Sequence, residues 1–189
     1  TGRSLEWKAA TPPARTTGRR LAFARWLTHP GHPLTSRVMV NRIWMHHFGQ
    51  GIVSTPDDFG SSGAAPTHPK LLDWLAREFI ESGWDIKHIH RLIALSSVYR
   101  QVSRPAAEVI TRSERVDPDN LFLWRQSLRR LGAEPFRDAV LAVSGRLDQR
   151  PFGGALRVAR RPDGEVNMAD GQPDNRRSIY IQILRLNPQ

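Results

Sequence analysis

The sequence predicts a mainly α fold: a helical bundle around one buried central helix, with a small β-hairpin or sheet element in the C-terminal part. Three observations predict it. Between Leu34 and Phe48 the apolar residues occupy nearly the whole circumference of a helical wheel, as expected of a helix enclosed on most sides. Around it, shorter segments carry one-sided apolar stripes, the mark of helices that pack one face and wet the other. After Gly153-Gly154 the helical period gives way to a turn sequence and to alternation.

Each element has a local reason. Residues 1–17 are rich in Thr, Gly, Pro and Arg, and Thr11-Pro12-Pro13 blocks helix and sheet alike, so this stretch reads as a linker inside a larger protein. A first helix runs from Gly18 and stops before Pro30, because the residue preceding a proline resists helical angles. The second helix spans Leu34 to Phe48 and ends at Gly49. A long loop, residues 49–67, follows; Ile52, Val53 and Phe59 suggest that it is pinned to the core. The third helix has Pro69 in its first turn, buries Leu71, Leu72, Leu75, Phe79 and Ile80, and ends at Gly83. Asp85 caps the fourth, which turns Ile86, Ile89, Ile93 and Ser97 to one side and ends near Tyr99.

Residues 100–116 are polar and read as irregular or short helix, and DPDN at 117–120 is a turn. A fifth helix starts at Glu134-Pro135, with Phe136, Val140, Val143 and Leu147 on one face. Pro162-Asp163-Gly164 can close a hairpin, and Ile179, Ile181 and Ile183 alternate as in a strand. The expected organisation is therefore a linker over 1–17, a helical core domain over 18–150, and a β-containing C-terminal extension of the same domain over 151–189.

Composition narrows the chemistry. The chain has 189 residues and a formal net charge of +10, with no cysteine. That excludes a disulfide framework, a thiolate zinc site, a cysteine nucleophile and Cys-based haem attachment. The longest apolar run, Ala139–Val143, is too short to span a membrane. Arg outnumbers Lys 25 to 3, which admits a polyanion ligand, but the basic residues are dispersed rather than striped. Nucleic acid is therefore not an expected partner.

Two polar residues on the central helix are costly. Arg37 and Asn41 fall on its apolar side, and a buried guanidinium demands a partner. The acids nearby in sequence are Asp57, Asp58, Asp73 and Glu78. The expectation is that Arg37 ties the 49–67 loop to the core through Asp57 or Asp58, and that Arg37→Ala costs about 3–5 kcal/mol if the pair is buried. Arg42 and His46 lie in the one polar wedge of the same helix, and with His68 they are the candidate binding residues. The seven histidines lack the i, i+4 spacing of a helical metal pair, and no metal ligand or cofactor is assigned. Ser96 and Ser97 are not on a nucleophile elbow, and Asp57-Asp58 does not announce a paired-carboxylate site, so no catalytic residue is assigned.

A resemblance adds to this. The stretches RVMVNRIWMHHFG at 37–49, GIV at 51–53, TPDDFG at 55–60, PTHP at 66–69 and LLDWLA at 71–76 occur in order. LIALSSVYR at 92–100, DPDN at 117–120, RDA at 137–139 and VSGRL at 143–147 follow. Together they resemble a planctomycete-specific domain of unknown function found toward the C-terminus of large secreted proteins, often with cytochrome-c-like haem modules. The resemblance implies an extracytoplasmic home, partners among the other domains of the parent chain, a haem-bearing module among them, and a C-terminal part cut short of the family's usual extent. It supplies no known active site.

The function expected is that of a non-catalytic or accessory interaction module. The alternatives are a hydrolase-type domain with a polar site near the second helix, and an Arg-based polyanion binder.

Overall fold

The computed structural model describes residues 17–169 and 171–182. The expected linker over 1–17 lies almost wholly outside the described residues, as does Ile183. Two compact units are present, one reaching to Leu128 and one beginning at Arg129. The sequence-based division at residue 150 differs from this boundary, and the fifth expected helix falls in the second unit.

The first unit contains six helices: α1 (Arg19–Leu27), α2 (Thr35–Phe48), α3 (Pro69–Glu81), α4 (Ile86–Leu95), α5 (Ser97–Arg100) and α6 (Ala107–Glu114). Helix α2 packs on both α3 and α4. One apolar cluster joins Val40, Ile43, Trp44 and Phe48 of α2 to Ile52 and Val53 of the following loop, Leu72, Leu75 and Phe79 of α3, and Ile89 and Ile93 of α4. The central helix is thus central, and the long loop is part of the core.

Local chemistry sets the helix ends. Gly49 stops α2 in a left-handed conformation (φ 91°) while its N–H donates to the Met45 carbonyl at 2.7 Å. Pro69 opens α3, and Asp85 accepts from the Lys87 amide at 2.8 Å to cap α4. The start of α2 was not legible as a cap. Leu34 occupies the cap position, and the buried His32 supplies the acceptor instead: its Nδ1 takes the Leu34 and Thr35 amides at 3.3 and 3.2 Å.

The expected fourth helix is broken in two at Ser96, which is extended (φ −65°, ψ 150°). The Ser96 hydroxyl donates to the Ile93 carbonyl at 2.7 Å and accepts the Tyr99 amide at 3.2 Å, ending α4 and starting α5 with one side chain. Ser97 is consequently exposed rather than turned to the core.

The second unit consists of α7 (Ala133–Val143), an antiparallel hairpin of β1 (Val158–Arg160) and β2 (Val166–Met168), and a 3-10 turn, Ser178–Tyr180. The hairpin closes where Pro162-Asp163-Gly164 places it, with Gly164 at φ 89°. The strand expected from Ile179, Ile181 and Ile183 is not formed at its start. Residues 178–180 are a 3-10 turn, and only Ile181 pairs, as an isolated bridge to Leu156. The Ser178 amide and hydroxyl are both bound to Asp138, which curls the backbone out of the extended form that the alternation suggested.

Candidate functional site

The polar residues of α2 are placed differently from expectation. Arg37 is not buried: its side chain is 35% exposed, and its Nε donates to Asp73 of α3 at 2.7 Å while Nη1 donates to the Pro33 carbonyl. The partner is neither Asp57 nor Asp58. A pair this exposed is worth under about 1 kcal/mol, so the larger cost expected for Arg37→Ala is corrected downward.

The loop-pinning role belongs to Asn41. This side chain is fully buried; its Oδ1 accepts the Val53 amide at 2.9 Å and its Nδ2 donates to the Val53 carbonyl at 3.0 Å. One amide thus satisfies both backbone groups of a buried loop residue, which would otherwise cost about 1–3 kcal/mol each. Gly51 lets the loop come this close. A Cβ at Gly51 would lie 2.5 Å from the Val53 carbonyl oxygen and 2.7 Å from the Asn41 Nδ2.

The two loop carboxylates do separate work. Asp57 is exposed and pairs with Arg42 at 2.8 Å. Asp58 stays within its own loop, accepting from the Gly60 amide and the Ser62 hydroxyl at 2.8 and 2.9 Å. His46 is exposed.

His68 precedes α3, with its Nδ1 2.9 Å from the Thr67 hydroxyl and its ring edge-on to Phe122. It borders a recess of about 50 Å³ whose other walls include Trp44, Phe48, Gln50 and Asn120. Neither Arg42 nor His46 lines that recess, so the three candidate binding residues are not brought into one pocket there.

Sequence reasoning passed over the polar groups that organise the recess wall. Asp117 is buried, and its two carboxylate oxygens accept the Leu121 and Phe122 amides at 2.8 Å each. Asn120, also buried and at φ 55°, donates to the Arg125 carbonyl and the Ser127 hydroxyl. The DPDN turn signal was legible, but the depth at which it is buried was not.

The second unit holds the most connected polar cluster. On α7, Asp138 accepts the Ser178 amide at 2.8 Å and the Ser178 hydroxyl at 2.7 Å. Arg137 donates to the Arg176 carbonyl, the Ser178 hydroxyl and the Asp174 carbonyl. Burial alone would push the Asp138 carboxyl up. The Ser178 hydrogen bonds, with the charges of Arg137 and Arg177, outweigh it and hold the carboxyl below its ordinary value. Asp148 is drawn down to about 2, chiefly by the Arg150 side chain.

Chemically this cluster is a lock. Ser178 is committed as donor to the Asp138 carboxylate. An open groove of about 760 Å³ lies beside it, bordered by Pro135, Ile179 and Ile181.

Because Arg137 and Asp138 turn inward to this lock, the other face of α7 turns out. Phe136, Val140 and Val143, which the sequence places on one face, are 61%, 53% and 91% exposed. On α7 only Leu141 is buried. Trp74 on α3 is also outward, at 45% exposure.

Among the described residues no helix is long and apolar enough to cross a membrane, and no cluster of three or more metal-binding side chains occurs. Compared with known proteins, residues 19–189 match the model of PSD1, described as a protein of unknown function (DUF1553). No curated protein and no solved structure matches the chain.

Proposed function

We propose, for a chain that belongs to the PSD1 family of unknown function, that it acts as a non-catalytic accessory interaction module of a larger extracytoplasmic bacterial protein. Its docking surface is the outer face of α7, and its partner is another domain of the parent chain. The observation that carries this reading is the exposed stripe of Phe136, Val140 and Val143, spaced four and three residues apart on one helical face. Burying such side chains is worth about 1.5–3 kcal/mol each, so a partner that covers them gains substantially.

The surroundings indicate the partner's chemistry. Residues 129–189 hold eleven arginines and no lysine against seven acids. A complementary surface is an apolar ridge framed by carboxylates. The haem-bearing domain implied by the resemblance is the partner to test.

Two alternatives have less support. A hydrolase-type site would need Arg42, His46, Asp58 and His68 together, whereas Arg42 is held by Asp57, Asp58 is bound to Gly60 and Ser62 of its own loop, and His68 faces a separate recess. A polyanion binder would need available guanidinium groups, whereas Arg37, Arg42, Arg137, Arg146, Arg150 and Arg161 are each in an ion pair.

The test is a pull-down with the haem-bearing part of the parent chain. Association is expected with the unaltered chain and is expected to be lost in the Phe136→Asp, Val143→Asp double variant. Association that survives that double variant overturns the assignment of the surface, and none at all with the unaltered chain overturns the partner.

A further inference from the structure

We infer that His47 and His90 form a two-imidazole binding site for a late first-row divalent cation of tetragonal preference, Cu2+ or Ni2+. The site is independent of the docking surface on α7 and lies on the first unit. His47 comes from the last turn of α2 and His90 from the middle of α4, and the packing of these helices brings the rings together across the contact, tilted by 57°. Nε2 of His47 is 2.7 Å from Nδ1 of His90, and the ring centroids are 5.0 Å apart. Tyr99 meets the His47 ring edge-on at 5.2 Å and steadies it, while His90 is exposed to solvent.

Two facing ring nitrogens cannot both carry a proton along so short a contact. At least one therefore presents a lone pair to the other. A cation that replaces the intervening proton takes both lone pairs, and the proton leaves to solvent.

Distance selects the metal. With metal–nitrogen bonds of about 2.0–2.1 Å, two cis ligands at right angles are about 2.9 Å apart, and two tetrahedral ligands about 3.3–3.4 Å. From 2.7 Å the first needs the rings to part by about 0.2 Å, the second by about 0.6 Å or more. Right-angled coordination by imidazole is the preference of Cu2+ and Ni2+. Hard cations are disfavoured, since both ligands are imidazole nitrogens and the chain carries a formal charge of +10. The binding must come from the nitrogens and not from the field of the protein. The exposed side of His90 leaves the remaining coordination positions to water, so the cation is exchangeable and ties α2 to α4.

Sequence spacing concealed this site. His47 and His90 are 43 residues apart, and each belongs to a pair, His46-His47 or His88/His90, that is wrongly spaced for a helical metal motif. The other member of the second pair, His88, reaches Glu78 on α3 at 3.4 Å instead.

The test is a titration of the full 189-residue chain with Cu2+, followed by calorimetry and by electron paramagnetic resonance. One tight equivalent is expected, with splitting from two imidazole nitrogens. His90→Gln should weaken that equivalent at least ten-fold and remove the two-nitrogen pattern, while His29→Gln should change neither. Ni2+ should raise the melting temperature of the unaltered chain and leave His90→Gln unmoved. Since His90 is exposed, its variant should melt like the parent without metal. Undiminished Cu2+ affinity in a folded His90→Gln protein, or a two-nitrogen spectrum that persists in it, overturns the assignment.

Discussion

The two compact units are held together by different physics. In the first, α2, α3, α4 and the loop after α2 close around a continuous apolar cluster from Val40 to Ile93. In the second, the buried apolar residues are Leu141 and Leu156 among those described, and the connections are ionic and backbone-directed: Asp138 with Ser178, Arg137 with three acceptors, Asp148 with Arg150. An apolar cluster gains free energy from area removed from water and needs no specific geometry. A polar lock contributes little net stability but fixes a conformation closely. The first unit is thus built for stability, and the second holds a shape that leaves its apolar side chains in water.

The comparison can be broken most directly at Asn41. Asn41→Ala orphans the buried amide and carbonyl of Val53 and should cost about 3 kcal/mol. Urea denaturation followed by tryptophan fluorescence measures it, since all six tryptophans precede Arg129. A loss below about 1 kcal/mol would mean that the loop is not pinned by this side chain.

Acid should distinguish the units next. A carboxylate whose folded pKa is lowered contributes stability above its ordinary value, and that contribution is lost as pH falls through the lowered one. For Asp148 the window runs from the ordinary 3.8 down to about 2, and for Asp138 it begins at the same 3.8. The Ser178 amide, which Asp138 holds, should therefore lose protection, measured against the intrinsic exchange rate at each pH, before the Ile89 amide, which lies in the apolar cluster. The reverse order would place the weaker connection in the first unit.

The smallest stability effect is expected in the exposed apolar stripe of α7. Val143→Ser, at a position 91% exposed, should change the unfolding free energy by no more than about 0.5 kcal/mol. A clear loss in a thermal melt would show that the stripe is already covered within the chain.

The units also differ in how far the sequence revealed them. The first was read nearly to the residue, because prolines, glycines and Asp85 act locally to start and stop helices. Its polar partners were not. Arg37 and Asn41 are four residues apart on one helix, and nothing in their spacing says that the amide enters the core while the guanidinium escapes to Asp73. In the second unit the periodicity of α7 placed Phe136, Val140 and Val143 on one face, and only the structure shows that face in water.

The sequence by itself determined most helix ends in the first unit, that α2 is central, that a turn falls at Pro162-Asp163-Gly164, and the family. These follow from backbone sterics, local hydrogen bonding and patterning, which act within a few residues. Only the tertiary structure decided which face of α7 meets water, that Asn41 rather than Arg37 holds the loop, and that His47 meets His90. Each of those depends on which chain segment arrives opposite, and periodicity describes one side of a contact only.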